Sequence, residues 1–362
     1  MPEQLPIKIA KQMANTNHTD FMNEWLLFLT EQGATIIDGL ATAFGESPAD
    51  YPALKVTLTD LGDQGVLALK GIDSKRFLQG QSTSDTSQLD EHTSLPGAIC
   101  NPKGRMLTSY QALEPVTDSV LLVMHRSLVD TTINNVGKYA AFFKTSLSNA
   151  SDEYRLFGIS GPDCEAALES CFDVKPTAIN QIVISGDCLL LRIATQQLLV
   201  IVTTGAAEAL WLKLTSTCTP TGISYWHLQS IQAGLAQVRA ETFEQFVPQM
   251  FNLQATGAVN FKKGCYTGQE IVARMQYLGK LKRRTYRVII DDSNPPDAGT
   301  EIYASETNKL VGSVLMAAPA NEKNTEMLAV LHEEQADASS FVINGEAVKV
   351  SIAELPYPLT SS

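Results

Sequence analysis

Several motifs that identify common enzyme classes are missing from this sequence. It contains no Gly-x-x-x-x-Gly-Lys phosphate loop, no Gly-x-Gly-x-x-Gly after a predicted strand and no Gly-x-Ser-x-Gly elbow. Each of these motifs shapes the backbone around a phosphate group or a nucleophile. Their absence argues against nucleotide hydrolysis and serine-hydrolase chemistry.

Metal-binding patterns are missing as well. The six cysteines form no Cys-x-x-Cys pair, and the five histidines are scattered along the chain. The spacing therefore predicts no metal site, no disulfide framework and no self-contained iron–sulfur site. Four cysteines lie in apolar surroundings, and we expect them to be small core residues: Cys164, Cys171, Cys188 and Cys218.

Long apolar runs are also lacking. The runs 120–124 and 198–202 are far shorter than the roughly 18 residues that a membrane span requires. The N-terminus shows no charged segment followed by an apolar one. We therefore expect a cytoplasmic monomer with no membrane partner. The formal charge of -12 argues against nucleic-acid binding over the whole surface.

Apolar residues, in contrast, are plentiful enough for more than one core. With 362 residues, of which 44% are hydrophobic, the chain is expected to form two or three domains. Residues 1–18 are polar and patternless and predict a loose leader. Residues 19–280 carry two rounds of the same element order, which predict two α+β units with antiparallel sheets. Residues 281–362 predict a small all-β barrel or sandwich.

Apolar periodicity defines the individual elements. A helix is predicted over 20–32. The first round comprises strand 66–70, helix 74–81, strands 97–101, 105–113 and 119–124, and helix 127–142. The second comprises strand 154–160, helix 162–172, strands 188–194 and 198–203, and helix 206–216. The barrel strands are predicted at 286–290, 301–303, 310–315, 327–331, 341–343 and 347–352.

One stretch, 262–274, combines a cysteine with a helix start. Thr267 and Glu270 have the spacing of a capping box, which predicts that a helix begins at this point. Its apolar face would hold Ile271, Val272, Met275 and Leu278. Cys265 would precede the helix N-terminus with two lysines beside it, and both features favour the thiolate. We predict a functional thiol, and the alternative is a structural cysteine.

Three further features allow two interpretations each. Segment 262–287 has eight basic residues and one acid, a net of +7, and is either an anion-facing surface or a solvated face balanced by acids elsewhere. The turn 101–105 presents Lys103 and Arg105 either to an anion or to solvent. Trp226, within the sequence Tyr-Trp-His, either stacks on a flat heterocycle or packs in the core.

These residues carry a family resemblance. Segment 263–270 (Lys-Gly-Cys-Tyr-Thr-Gly-Gln-Glu), together with 247–253 (Val-Pro-Gln-Met-Phe-Asn-Leu), resembles the signature of the YgfZ family. Segments 69–73, 76–85 and 101–105 resemble its N-terminal motifs, so the likeness covers most of residues 20–355. YgfZ proteins are similar to the glycine cleavage T-protein, a tetrahydrofolate-dependent aminomethyltransferase. The resemblance implies an α+β ring of two interleaved ferredoxin-like units and a C-terminal β barrel around a folate-binding hole.

For function, the resemblance implies a cytoplasmic folate-binding protein that supports iron–sulfur enzymes, including one that methylthiolates tRNA. The expected cofactor is tetrahydrofolate or a derivative. The expected partners are folate, iron–sulfur enzymes or their assembly factors, and tRNA indirectly. Two positions depart from the T-protein pattern. Thr108 and Ser109 stand where T-proteins carry an acid, which disfavours T-protein-type transfer, and Gln232 replaces the usual glutamate with an uncharged amide.

The resemblance also suggests site residues. Reduced folate is expected between the two α+β units, with Trp226 and Tyr110 as stacking groups and Arg105 and Lys263 facing its glutamate tail. Further candidate contacts are Lys103, Gln232 and Gln269. Cys265 is expected at the rim, to capture a one-carbon unit, to form a mixed disulfide or to donate one ligand to a transient cluster. The alternatives are a one-carbon transferase and a tRNA-binding module that uses segment 262–287.

Overall fold

The computed structural model describes residues 18–277, 279 and 281–358, with side chains from residue 24 onward. Of the predicted leader, all but His18 lies outside these residues, as do Leu278 of the predicted apolar face and Lys280 of the basic segment. No helix in the described part of the chain is both long and apolar enough to cross a membrane. The helices are α1 (His18–Glu31), α2 (Ser74–Gln79), α3 (Val129–Ala140), α4 (Cys164–Cys171), α5 (Ala207–Leu214), α6 (Ile223–Gln232) and α7 (Gln269–Tyr277).

The strands precede and follow these helices in the order expected for two α+β units and a barrel. They are β1 (Thr35–Ile37), β2 (Leu40–Ala43), β3 (Thr57–Asp60), β4 (Gln64–Lys70), β5 (Leu95–Cys100), β6 (Met106–Val116), β7 (Ser119–His125), β8 (Ser146–Asn149), β9 (Tyr154–Ser160), β10 (Ile182–Ser185), β11 (Cys188–Ala194), β12 (Gln197–Thr203), β13 (Thr219–Thr221), β14 (Arg283–Ile290), β15 (Glu301–Ala304), β16 (Leu310–Pro319), β17 (Thr325–His332), β18 (Ser340–Ile343) and β19 (Glu346–Ala353).

The two α+β units are interleaved, as predicted. One sheet has the strand order β5-β6-β7-β4-β8 and the other has the order β10-β11-β12-β9-β3-β13. Strand β3 precedes the whole five-stranded sheet in the sequence, yet it pairs with β9, which follows that sheet. The chain therefore contributes β3 to the six-stranded sheet, then forms the whole five-stranded sheet, and then returns to complete the six-stranded sheet.

Alternating side chains place the two sheets against each other. Val66 and Ala68 of β4 pack in one core with Leu199 and Ile201 of β12, which belongs to the opposite sheet. The intervening residues of β4, such as Leu67, belong to a second core with the helices α2 and α3. Because successive side chains of a strand point to opposite faces, each central strand is buried on both sides.

The outer face of the six-stranded sheet forms a third core. Trp25 from α1 and Trp211 from α5 pack there with the remaining apolar residues of β12. The four cysteines predicted as core residues are buried in this cluster, which confirms that prediction: Cys164, Cys171, Cys188 and Cys218.

The C-terminal strands close into a six-stranded barrel, with the order β14-β17-β16-β15-β18-β19 and β14 paired to β19. Met327, Ala329 and Leu331 of β17 point into the barrel. Leu328 and Val330 point outward and pack in the core that contains α6. The barrel is therefore fixed to the α+β units by an apolar face, because β17 is buried on both sides.

Six short strands were not predicted from the sequence. They are β1, β2, β3, β8, β10 and β13, each three or four residues long. Such lengths are too short to establish a period of two. Pairing with neighbouring strands, rather than local sequence, defines them.

Candidate functional site

A cavity of about 620 Å³ opens between the two sheets, α6 and the barrel. Its wall includes Tyr110 from β6, Trp226 from α6 and Met316 from β16. The segment after the barrel completes the wall, since the Tyr357 hydroxyl donates a 2.9 Å hydrogen bond to the Gly234 carbonyl. Ligand pockets in proteins commonly measure roughly 300–1,000 Å³, so the volume suits a small molecule.

Most polar groups of the cavity wall come from side chains that do not ionise, with His227 as an exception. The described residues that line it include no Asp, Glu, Lys or Arg. Side-chain amides supply most of its polar groups: Gln64, Gln111, Asn180, Gln196, Gln197, Gln229, Gln232 and Gln237. Amides both donate and accept hydrogen bonds, so this wall can match a ligand edge with alternating donors and acceptors.

Tyr110 and Trp226, the two predicted stacking residues, both line the cavity. The Trp226 indole is 6% exposed and packs directly over Gly158 of β9, where an added Cβ would overlap the ring. The Tyr110 hydroxyl donates to Ser82 Oγ, and burial raises the pKa of Tyr110 to about 12. Tyr110 is therefore a neutral phenol in the wall.

Gln232 also lines the cavity and connects it to the barrel. Its Nε2 atom donates to Glu326 Oε1 at 3.1 Å, and Glu326 Oε2 accepts from Arg287 Nε at 2.7 Å. Gln229 Nε2 donates to Gln232 Oε1 at 3.3 Å. A carboxylate is thus present behind Gln232, where Arg287 neutralises it and the amide separates it from the cavity.

Two wall residues were missed by the sequence reasoning. His227 was treated as one of several scattered histidines, but its Nε2 atom lies 2.8 Å from Asp63 Oδ2 and 3.2 Å from Arg239 Nη2. Burial raises the pKa of Asp63, but His227 and Arg239 outweigh it and hold the pKa well below its ordinary value. Asp63 carried no sequence signal, because 164 residues separate it from His227.

Gln197 is the second missed residue. It is 2% exposed, and its Nε2 atom donates to Ser230 Oγ at 3.1 Å. Among the described atoms, its Oε1 has no hydrogen-bond partner. Only the position of Gln197 at the start of β12, beside the exposed Gln196, could have drawn attention to it.

The Cys265 loop (260–268) lies outside the lining of this cavity. The predicted capping box is wrong, because α7 begins at Gln269 and Thr267 bonds elsewhere. The Thr267 amide donates to the Gly80 carbonyl at 3.1 Å, and its hydroxyl lies 3.5 Å from Gln81 Oε1. Cys265 is exposed, whereas the other five cysteines are buried.

Lys263 has a different position from the one expected. It is 8% exposed, and its ammonium group donates to the carbonyls of Gln79, Ser82 and Ser84 at 2.7–2.8 Å. This corrects the expectation that Lys263 faces a glutamate tail, because three internal acceptors already surround it. Lys263 instead fixes the Cys265 loop to the segment that follows α2.

That segment connects the loop with the cavity. Ser82 accepts a hydrogen bond from Tyr110 through its hydroxyl and one from Lys263 through its carbonyl. Thr83 donates through its hydroxyl to the Ala258 carbonyl at 2.6 Å, and Ala258 lines the cavity. The Cys265 loop is therefore attached to the cavity wall, although its thiol is not part of that wall.

The turn 101–105 packs beside this loop. A Cβ added to Gly104 would lie 2.9 Å from Ile271 Cβ, so the turn contacts the start of α7. Lys103 and Arg105 are exposed and do not line the cavity. Gln269, half-buried at the first position of α7, does not line it either.

Acids elsewhere balance part of the basic segment. Arg284 pairs with Glu333, Arg287 with Glu326, and Lys263 is internal. Among the described residues of the segment, the exposed basic ones are Lys262, Arg274 and Lys282. Within the described chain, no group of three or more His, Cys, Asp or Glu side chains could hold a metal ion.

No family model matches the chain. The tRNA-modifying protein YgfZ of Enterobacter sp. (strain 638) is 33% identical to it over 325 residues, which cover 88% of this chain and 99% of that protein. Among solved structures, the glycine cleavage system aminomethyltransferase T from Bartonella henselae has a TM-score of 0.76 at 16% identity, covering 92% of this chain and 96% of that one. That likeness shows the T-protein fold. The sequence identity extends over nearly the whole relative, and the chain accordingly belongs to the YgfZ family.

Proposed function

We propose that this chain is a folate-binding accessory protein that supports tRNA modification, in particular the methylthiolation carried out by an iron–sulfur enzyme. The observation that carries the proposal is a cavity, lined by aromatic rings and side-chain amides, that is attached to a loop with an exposed cysteine. The tRNA context rests on the name of the 33% identical relative. The cofactor is tetrahydrofolate or a derivative.

The cavity residues fit a reduced pterin. Trp226 and Tyr110 offer aromatic surface, and the amides around them offer neutral donors and acceptors. The glutamate tail of folate is anionic and has no charged partner among the described lining residues. It would extend outside the cavity toward cations such as Lys103 and Arg105.

An aminomethyl transfer of the T-protein type fits these residues less well. Transfer of the T-protein type would require a carboxylate at the position of Thr108 or Ser109 on β6. The Thr108 hydroxyl is buried against the Ser109 carbonyl and Met124 Sδ, and Ser109 Oγ accepts from the Val238 amide. Neither side chain supplies a carboxylate, which favours the accessory role over the transferase.

Cys265 is the functional thiol in this proposal. Its exposure allows contact with a protein partner, either an iron–sulfur enzyme or an assembly factor. Lys263 restricts the loop through three hydrogen bonds, so the thiol has a defined position relative to the cavity wall. A captured one-carbon unit, a mixed disulfide and a single cluster ligand are all compatible with this placement.

Complementation of a bacterial strain that lacks its own YgfZ tests the proposal. Methylthiolated nucleosides in total tRNA would be measured by mass spectrometry, with protein levels checked by immunoblot. We expect the wild type and Cys188→Ala, a buried-cysteine control, to restore the modification and Cys265→Ala to fail. Full rescue by Cys265→Ala would contradict the role of the thiol.

Direct tRNA binding is a second candidate, favoured by the relative's name and the exposed Lys262, Arg274 and Lys282. Binding through these cations should weaken steeply with salt, because each phosphate contact releases counterions. Filter binding of tRNA at several salt concentrations tests it. An undetectable affinity at low salt would remove this candidate and leave the accessory role.

A further inference from the structure

Three large apolar side chains are exposed at one end of the five-stranded sheet. Ile72 is 70% exposed, Val116 64% and Phe142 84%. Ile72 comes two residues after β4, Val116 is the last residue of β6, and Phe142 comes two residues after α3. Single exposed apolar residues are common in monomers, whereas a contiguous group of them marks an interaction site. We call this group the Ile72 surface.

Strand pairing makes the Ile72 surface contiguous. β4 lies between β7 and β8 and is antiparallel to both, and the first residue of each of these strands pairs with Lys70. The turns that precede β7 and β8 therefore lie on either side of the C-terminal end of β4. The Gly71 amide donates to the Asp118 carbonyl at 2.8 Å, and a Cβ added to Gly71 would lie 2.2 Å from the Lys144 carbonyl oxygen.

Two opposite charges flank this surface. Asp118 lies with Val116 on one side of Ile72, and Lys144 lies with Phe142 on the other. Both charged residues are exposed, and neither side chain forms an ion pair within the described part of the chain. Neighbouring strands are about 4.8 Å apart, so roughly 10 Å separates the two turns. The surface therefore runs from a negative charge through apolar side chains to a positive charge.

The six-stranded sheet repeats this backbone arrangement. Gly161 follows β9 as Gly71 follows β4, and β9 lies between β12 and β3. The Gly161 amide donates to the Gln196 carbonyl at 3.0 Å, and a Cβ added to Gly161 would lie 2.3 Å from the Lys55 carbonyl oxygen. The two sheet ends therefore correspond residue by residue.

The side chains at the corresponding positions are different. The equivalent pairs are Ile72 and Pro162, Val116 and Ala194, Asp118 and Gln196, Phe142 and Ala53, and Lys144 and Lys55. The six-stranded sheet thus forms the same turns with smaller side chains and without the acid. The fold therefore does not require the large apolar side chains or the opposite charges of the Ile72 surface, which leaves them for binding.

The order of the charges indicates a second copy of the chain as the occupant. A two-fold axis at Ile72 places Asp118 of each copy opposite Lys144 of the other, and Val116 opposite Phe142. Symmetric dimers need a surface that is complementary to itself in this way. A uniformly acidic or basic partner would face a charge of its own sign at one end. The two charges also cancel, so copies of a chain with a net charge of -12 can approach each other here.

The size of the Ile72 surface suits a weak dimer. Three large side chains expose roughly 350 Å² in each copy, against the roughly 800 Å² that a standard interface buries in each partner. We therefore expect reversible association in the micromolar range.

We propose that the chain forms a reversible homodimer through Ile72, Val116 and Phe142 of both copies, with Asp118 of one copy paired to Lys144 of the other. This proposal replaces the monomer expected from the sequence and does not depend on the proposed function. β6 extends over 11 residues, roughly 30 Å, from the turn 101–105 to this surface. The Cys265 loop, which packs beside that turn, therefore stays accessible in the dimer.

Analytical ultracentrifugation of the purified full-length chain tests the dimer. Between about 1 and about 300 µM, the average mass of the wild type should rise toward that of two chains. Phe142→Ser should raise the dissociation constant at least about tenfold, because it removes the largest side chain of the contact. Leu310→Ser, the matched control, changes a side chain on the barrel that is 52% exposed and should alter the constant by less than about twofold.

A folding defect is excluded by the melting temperature. At a concentration where the wild type is monomeric, Phe142→Ser should melt within about 2 °C of the wild type, because the ring is mostly exposed. A much larger drop would mean that Phe142 is structural, and the assignment of this ring to the contact would be overturned.

Charge variants test the pairing between copies. Lys144→Glu places two acids opposite each other and should weaken the dimer more than Asp118→Asn, which only removes a charge. Asn tolerates the φ of 63° that Asp118 has in its turn. The double variant should dimerise more strongly than Lys144→Glu alone, because it removes the repulsion.

Several results would overturn the proposal. A wild type that stays monomeric at about 300 µM excludes the dimer. A dimer that Phe142→Ser leaves intact, or that Leu310→Ser weakens equally, uses another surface. A Lys144→Glu dimer as strong as the wild type excludes the charge pairing. If a monomeric wild type sediments with phosphatidylglycerol vesicles and Phe142→Ser does not, the surface binds lipid instead of a second copy.

Discussion

The cavity and the Cys265 loop lie close together but differ in almost every physical property. Strands and α6 form much of the cavity wall, and the described lining residues include no Asp, Glu, Lys or Arg. The loop has little regular structure and exposes its cysteine, and it is followed by the exposed cations Arg274 on α7 and Lys282 just before β14. The difference is consistent with the proposed function, in which the cavity binds a neutral ring and the loop presents the functional thiol.

The cavity wall and the Cys265 loop are linked through one short segment. The segment after α2 accepts a hydrogen bond from Tyr110 on the cavity side and from Lys263 on the loop side. A change in the wall should therefore impair ligand binding first, and a change in the loop should impair the thiol-dependent function first. Three experiments test this separation.

Gly158→Ala should have the largest effect, on the cavity. A methyl group there would overlap the Trp226 indole, so the ring must move toward the ligand space. Overpacking of this kind costs about 1–3 kcal/mol of unfolding free energy, and we expect tetrahydrofolate affinity to fall more than tenfold. Urea unfolding and calorimetry would measure the two effects.

Gly137→Ala is the matched control for this variant. Gly137 lies on α3 with no atom within 4 Å of an added Cβ. Alanine in a helix should stabilise the protein by about 0.5–1 kcal/mol and leave affinity unchanged. Undiminished affinity in Gly158→Ala would exclude Trp226 from the ligand site.

Lys263→Met should have an intermediate effect, on the loop. It leaves three carbonyls without their ammonium donor, and we expect a loss of about 1–3 kcal/mol in unfolding free energy. Complementation should fall while tetrahydrofolate affinity changes less than about threefold. Lys262→Met, at the exposed neighbouring position, should retain both properties. A Lys263→Met variant that loses affinity but still complements would reverse the proposed division.

The pH dependence of stability offers a second measurement on this residue. Burial lowers the pKa of Lys263 from 10.5 to about 8, partly opposed by Asp85. Between these two pH values the unfolded chain binds more protons than the native protein, so this group makes stability rise with pH. The difference in unfolding free energy between the wild type and Lys263→Met should therefore shift in favour of the wild type from pH 8 to 10.5, because buried thiols such as Cys188, whose raised pKa has the opposite effect, are common to both proteins and cancel.

Salt should have the smallest effect. Raising the ionic strength from about 0.05 to about 0.5 M shortens the Debye length severalfold, but a ring bound without charge should lose less than about twofold in affinity. Tetrahydrofolate should weaken more than 6-methyl-tetrahydropterin, which lacks the tail, if exposed cations hold that tail. Lys103→Gln with Arg105→Gln should remove the difference. Equal salt dependence of the two probes would exclude these cations as tail contacts.

Sequence patterns predicted the large elements well and the local geometry of the site poorly. All six barrel strands and the interleaved α+β order follow from apolar periodicity and the family resemblance. The capping box failed because Thr267 bonds to residues near position 80, which no local pattern around α7 reveals. The same is true of Lys263, whose three acceptors lie about 180 positions away in the chain.

Three features could be recognised from the sequence alone: the alternation of apolar residues, the family, and the cysteine on which the function is proposed to depend. Each of them is a pattern of residues that are close together in the chain. Only the tertiary structure decided which side chains meet. It brought Gln197 to a cavity wall, buried Lys263 under its carbonyls, and separated Cys265 from Trp226. These outcomes depend on contacts between distant parts of the chain, where long-range packing and hydrogen bonding override local preference.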